Sequence, residues 1–193
     1  MSTEKFIKWM TLFHDKIQAE KVYLTELDGP IGDSDHGSNM ARGLTHVKEA
    51  LDTGSVDTPQ AVLKTTAMQL MSKVGGASGA LYGSAFMGMA TAVGADADNA
   101  TDMIQAGIDM IQKRGKAEAG EKTMLDVWIP VQEAVASGSL TVEVIKDAVE
   151  STEPMKATKG RASYVGERSV GHIDPGAMSS GYLFETAIEA GVL

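Results

Sequence analysis

Asp28, Asp33 and Asp35 raise the first chemical question in this sequence. Three carboxylates within eight residues repel one another, and each pair about 4 Å apart costs about 1 to 4 kcal/mol depending on the local dielectric. Gly29, Pro30 and Gly32 can curl the connector so that the carboxylates converge, an arrangement that a bound cation makes favourable. Hard oxygen donors in a chain without cysteine point to Mg2+ or Ca2+. A Ca2+ loop of the EF-hand type does not fit, because position 12 counted from Asp33 is Leu44 and not a bidentate glutamate. Mg2+ is therefore favoured. The alternative is a solvated acidic turn whose aspartates cap the following helix.

His36 follows at once, with Gly37, Ser38 and Asn39 opening the next helical pattern. Free backbone N–H groups at a helix start, together with the helix dipole, suit an anion. As a lone histidine His36 could equally be a cap or surface residue, His14 and His46 read as ordinary helix residues, and His172 reads as structural. Gly75-Gly76-Ala77-Ser78-Gly79 ends one helix and starts another, and can offer a nest of N–H groups to phosphate oxygens. It is not a Walker A loop, since no Lys-Ser/Thr follows a glycine at the required spacing. A tight helix–helix turn explains the same glycines. Gly115-Lys116 to Asp126 is a further glycine-punctuated turn, whose glycines and Met124 could line a flat ligand or simply pack. Lys156, Lys159, Arg161 and Arg168 face only Glu167 across residues 156–168. That segment reads as a basic flap over a phosphate or as a solvated charged loop. Asp174-Pro175-Gly176 then sets another helix start beside it.

These residues need a scaffold, and composition narrows the choice. The 193 residues suit one domain large enough to bury its own core. The absence of cysteine excludes a disulfide framework, a cysteine zinc site and a thiol nucleophile. A net charge of −9 argues against nucleic acid and anionic membrane as partners. No apolar run is long enough to span a bilayer, and the start of the chain, MSTEKFIKWM, lacks the apolar centre of a signal peptide, so a cytoplasmic location is expected.

Apolar spacing is helical almost throughout. Phe6, Trp9, Phe13, Ile17 and Leu24 share one face, and Met40, Leu44, Val47 and Leu51 another. Thr58-Pro59 opens a third helix, and residues 79–93 form a fourth whose mid-helix glycines imply a close helical neighbour. Met103 to Ile111, Leu125 to Val135 (bent at Pro130), Thr141 to Val149 and Asp174 onward complete eight helices with no strand. Short connectors make neighbours antiparallel. The expectation is an all-α, single-domain eight-helix barrel or bundle over residues 1–193, with the connectors 28–36 and 158–173 left irregular.

The ordered set of motifs resembles a known family. Gly32 to Met40 with Asp28 upstream, Gly75 to Gly79, Gly115 to Glu118, Lys122-Thr123-Met124 with Asp126, Lys159 to Tyr164, Gly166 to Ser169 and Asp174 to Gly176 resemble the nucleotide-binding L subunits of dihydroxyacetone kinases. The likeness runs from about residue 6 to the end and keeps the motif order. It implies an antiparallel eight-helix barrel with ADP or ATP and two Mg2+ at one end. It places the metal ligands on Asp28, Asp33 and Asp35. It places nucleotide contacts on His36, Gly37, Ser38, Asn39, Ala77, Ser78, Gly115, Met124, Arg161, Asp174, Pro175 and Gly176. Gly29-Pro30 departs from the more polar pair expected in relatives, without loss of a ligand.

The resemblance further implies a separate K subunit holding dihydroxyacetone, so that this chain is half an enzyme. It implies in-line phosphoryl transfer from bound ATP, with the proton-accepting base on that partner. A free-standing L chain is similar to the form dependent on the phosphoenolpyruvate phosphotransferase system. There, bound ADP is rephosphorylated in place by a phosphohistidine-carrying subunit. The alternatives are an ATP-exchanging ketose kinase subunit, a nucleotide-sensing adaptor without chemistry, and a Mg2+-dependent phosphohydrolase.

Overall fold

Helices form where the apolar spacing sets them: α1 (Thr3–Asp28), α2 (His36–Thr53), α3 (Pro59–Lys73), α4 (Gly76–Ala95), α5 (Ala100–Gly115), α6 (Leu125–Ser137), α7 (Val142–Glu150) and α8 (Pro175–Ala190). This computed structural model describes residues 1–193 and contains no strand. Each helix packs on its predecessor, and α8 returns to α1, so the eight close into a ring. Because neighbours run antiparallel, the α1–α2, α3–α4, α5–α6 and α7–α8 connectors gather at one end. The ring encloses a continuous core of 42 buried residues. Trp128 and Phe184 meet edge to face there with centroids 5.0 Å apart.

Capping divides the two ends of the ring. At the far end α1, α3, α5 and α7 each start with a side-chain cap, from Ser2, Thr58, Asn99 and Thr141. Such a cap contributes about 1 kcal/mol. At the near end the cap positions of α2, α4 and α6 are Asp35, Gly75 and Met124, and none of these side chains caps its helix. Only α8 has one, from Asp174 to the Ala177 N–H at 2.8 Å.

Pro130 lies inside α6, which runs on to Ser137. One local expectation needs amendment. The connector 158–173 is not irregular throughout, since Arg161–Ser169 forms a 3-10 run broken at Gly166 (φ 56°). Its stride is three residues, which a search for a 3.6-residue period passes over. Ser163 and Ser169 stabilise it by donating from Oγ to the Gly160 and Gly166 carbonyls, each at 2.7 Å.

The glycines of α4 do have close neighbours. A Cβ on Gly88 would stand 2.4 Å from the Ala106 carbonyl oxygen of α5, and one on Gly83 would stand 2.2 Å from Met71 Cγ of α3. Alanine gains about 1 kcal/mol over glycine in an isolated helix. Gly88→Ala should nevertheless destabilise the protein by about 1–3 kcal/mol, because a backbone carbonyl must move. Urea unfolding measures this, and a stabilised variant would disprove the tight α4–α5 approach.

Candidate metal and phosphate site

All four near-end connectors line one cleft, adjoined by a second space. Asp28, Asp33, Asp35, His36, Ala77, Ser78, Met124, Arg161, Asp174, Pro175 and Gly176 line the first. Gly115 lines the second, together with Ala77 and Met124.

The three aspartates converge as their spacing suggested, each with one carboxylate oxygen within 4.8 Å of the others. Asp28 ends α1 and is buried; its Oδ2 accepts from the backbone N–H of Asp35 at 2.9 Å and of His36 at 3.1 Å. Gly32 makes room for the other oxygen, since a Cβ there would stand 1.9 Å from Asp28 Oδ1. Asp33 pairs with Arg161 at 3.0 Å, and no basic side chain pairs with Asp28 or Asp35. A converged, under-compensated set of hard oxygens fits Mg2+, which takes one or two carboxylates together with water and phosphate oxygens.

Beside it lies the start of α4. The backbone N–H groups of Gly76, Ala77 and Ser78 have no partner within the protein. Gly76 adopts φ +66°, and a Cβ there would meet nothing within 4 Å, so the backbone rather than packing requires the glycine. Gly79 is the packing glycine of the turn: its Cβ would stand 2.4 Å from the Val74 carbonyl oxygen. A row of unpartnered N–H groups and a tightly packed turn thus coexist in this glycine run, at different residues.

His36 is buried and serves two hydroxyls, with Nδ1 3.0 Å from Ser78 Oγ and Nε2 2.9 Å from Ser179 Oγ. Burial pushes its pKa down to about 4, against the raising influence of Asp28 and Asp35, so the ring is neutral at pH 7. The next three residues do not line the cleft. Gly37 lets α2 approach α1, as its Cβ would stand 2.0 Å from the Lys21 carbonyl oxygen. Ser38 is exposed and donates to the Asp35 carbonyl at 3.0 Å, while Asn39 Oδ1 accepts from Arg42 at 2.6 Å.

Lys122 and Ile31 have structural roles that the sequence did not mark. Lys122 is 1 % exposed and adopts φ +62°. Its ammonium donates to the carbonyls of Thr152 (2.6 Å), Met155 (3.1 Å), Glu153 (3.3 Å) and His172. These acceptors flank the basic segment, so one cation fastens both of its stems. Burial lowers the Lys122 pKa, and Asp174 and Glu153 raise it. Ile31, 1 % exposed, packs with Ala157 and Ala162 and ties the aspartate loop to the same segment. Backbone acceptors leave no side-chain pattern that would have marked Lys122. Ile31 is a lone apolar residue in a polar loop, and that was the available signal.

Two predictions follow from this geometry. Lys122→Met strips one buried and three part-buried carbonyls of their donor and should cost about 3 kcal/mol in chemical denaturation. Asp174 retains some exposure towards the cleft, but its carboxyl is enclosed and burial pushes it up to about 7, against the Ala177 N–H and Lys122. A raised folded pKa favours the protonated form, so its stabilisation is complete below the unfolded value near 3.8 and is lost as pH rises through about 7. Asp174→Asn keeps a capping oxygen without the titration. Its Tm without nucleotide should therefore gain on the unchanged protein from pH 4 to pH 8, and a constant difference would refute the assignment.

Comparison with known proteins bears on this arrangement. The family model described as the DAK2 domain matches residues 30–189. The chain is 50% identical over 190 residues to the "PTS-dependent dihydroxyacetone kinase, ADP-binding subunit DhaL" of Lactococcus lactis, covering 98% of each. It is 42% identical over 200 residues to the "PEP-dependent dihydroxyacetone kinase, ADP-binding subunit DhaL" of Escherichia coli, covering 96% of this chain and 95% of that one. The crystal structure of the dihydroxyacetone kinase from C. freundii in complex with AMP-PNP and Mg2+ shares the fold, with a TM-score of 0.78 at 19% identity over 98% of this chain. This chain spans about a third of that kinase, 34% of its length. The helical ring with its near-end cleft thus belongs to the Dak2 family, the family of the ADP-binding subunits of dihydroxyacetone kinases.

Proposed function

We propose that residues 1–193 act as one nucleotide-binding unit, the ADP/ATP-binding subunit of a dihydroxyacetone kinase. The observation that carries this reading is the meeting, in one cleft, of three converged carboxylates and the unpartnered N–H groups of Gly76, Ala77 and Ser78. Negative oxygens and free backbone donors attract opposite partners. A metal–polyphosphate satisfies both at once.

Asp28, Asp33 and Asp35 would hold two Mg2+, which supply charge neutralisation for the phosphoryl oxygens of ATP. The α4 start, with Ser78, holds phosphate oxygens by hydrogen bonds. Arg161, exposed in the cleft, offers a guanidinium to the same charge. The second space, lined by Leu81, Ile111, Gly115 and Met124, takes the flat apolar base. Asp174, Pro175 and Gly176 border the cleft from the α8 side. His36 supports Ser78 from behind, and Gly37 and Asn39 support the α2 start. Ser38 lies at its exposed edge.

His36 is not free to accept a proton from an incoming hydroxyl, because both its nitrogens are engaged, and the clustered aspartates are taken up by the metal role. The base is assigned to a partner K subunit that presents dihydroxyacetone to the γ-phosphoryl group. Resident ADP would be rephosphorylated by a phosphohistidine protein of the phosphoenolpyruvate phosphotransferase system. Two relatives are PTS-dependent and PEP-dependent by name, which supports that form.

Native mass spectrometry of the purified chain should show ADP with two magnesium ions, both removed by a chelator. Asp35→Ala should lose the retained ADP and lower coupled kinase turnover on the order of 100-fold. Normal retention and turnover in that variant would overturn the metal role. ADP that survives gel filtration supports a resident cofactor, whereas rapid exchange assigns an ATP-exchanging ketose kinase subunit. Bound nucleotide with no transfer to any partner would make the chain a sensing adaptor.

A further inference from the structure

Behind Ser78 a chain of hydrogen bonds runs through the core and crosses four helices. Trp128 Nε1 on α6 donates to Ser180 Oγ on α8 at 3.0 Å. Ser180 Oγ lies 2.9 Å from the Tyr82 hydroxyl on α4, which lies 2.7 Å from Ser179 Oγ on α8. Ser179 Oγ lies 2.9 Å from His36 Nε2 on α2, and His36 Nδ1 lies 3.0 Å from Ser78 Oγ, back on α4. Ser179, Ser180 and Trp128 are fully buried and Tyr82 is 1 % exposed, so no water competes along most of this path.

An indole N–H can only donate, and this gives the chain a direction. With its oxygen accepting from Trp128, Ser180 has one acceptor in reach for its own proton, the Tyr82 oxygen. Tyr82 passes its proton to Ser179 at 2.7 Å in preference to the Gly176 carbonyl at 3.5 Å. Ser179 in turn prefers His36 Nε2 at 2.9 Å to the Gly176 carbonyl at 3.2 Å. At both forks the shorter contact is the next member of the chain. His36 then carries its proton on Nδ1 and donates it to Ser78 Oγ. The Ser78 hydroxyl proton has no acceptor left in the protein and turns to the cleft that Ser78 lines.

We propose that Tyr82, Ser179, Ser180 and His36 are positioning residues that aim the Ser78 hydroxyl as a fixed donor at an anionic ligand oxygen. The identity of that oxygen as a nucleotide phosphate rests on the function proposed above. The direction of the chain does not. Reversal would leave His36 Nδ1 accepting from Ser78 and present a lone pair, which repels phosphate, to the cleft.

Two measurements on the full chain test this. In the unliganded protein, 15N NMR of the histidine rings should find the His36 proton on Nδ1 and Nε2 bare. A proton on Nε2 alone overturns the proposal. Tyr82→Phe frees Ser179 to accept from Nε2, so the variant should show mixed protonation at His36. Calorimetric titration with Mg-ADP should find Tyr82→Phe weaker by about 3- to 10-fold, the range of one neutral hydrogen bond. In a Ser78→Ala background the same substitution should have no further effect. An equal loss in both backgrounds would mark Tyr82 as merely structural and overturn the proposal, as would no loss in either. If no form binds Mg-ADP, the nucleotide reading fails, and the ring-nitrogen result alone decides the direction of the chain. It decides likewise if Tyr82→Phe does not fold.

Discussion

The near end of the ring depends on one divided carboxylate. Asp28 spends Oδ2 on the Asp35 and His36 N–H groups, which fixes how α2 leaves the end of α1. One of its oxygens also lies within 4.8 Å of a carboxylate oxygen of Asp33 and of Asp35. A single side chain therefore sets the entry angle of a helix and completes a donor set. An asparagine would separate the two tasks, still accepting from the amides but removing the charge a divalent ion needs, while an alanine would lose both. The repulsion within the cluster, about 1 to 4 kcal/mol per close pair, is tolerated because the amides hold Asp28 in place and Arg161 offsets Asp33.

Ring closure explains why this cluster meets the phosphate-type donors. In an up-and-down ring every second connector falls at the same end, so four segments far apart in sequence share one cleft. The capping asymmetry follows the same division. Far-end helix starts are closed by serine, threonine or asparagine at the cap position. At the near end the cap side chains of α2, α4 and α6 do not cap; Asp28 accepts from the first N–H of α2 and Thr123 from that of α6, while α4 keeps the N–H groups of Gly76, Ala77 and Ser78 unpartnered. Such a free row at a helix start suits an anion.

Much of this was legible in the sequence, for identifiable reasons. Thr58-Pro59, Thr141 and Asp174-Pro175 announce helix starts through local hydrogen bonding, and the helices begin there. The small residues of α4 report a close approach that Gly83 and Gly88 make. Asp28, Asp33 and Asp35 lie close in sequence, so a tight loop sufficed to bring them together. What was hidden depends on partners distant in sequence or on backbone atoms. Lys122 is held by carbonyls, which every residue has. The partnership of His36 with Ser78 and Ser179 spans 42 and 143 positions, and no spacing rule reaches across them. Gly37 illustrates the converse: a glycine in a phosphate-like motif whose contact with the Lys21 carbonyl is a matter of helix packing.

The basic segment joins these levels. Lys122 anchors both its stems, Ile31 buries its apolar side against the aspartate loop, and Arg161 reaches across to Asp33. Three contacts of different kinds thus act on one strip of chain. The ammonium clamp and the apolar contact are buried and resist salt, whereas the exposed Arg161–Asp33 pair is screened and weak. A strip fastened firmly at its base and only lightly at its tip can change the partner of Arg161 without unfolding. Under the function proposed above, that graded attachment would let Arg161 exchange Asp33 for a phosphate oxygen.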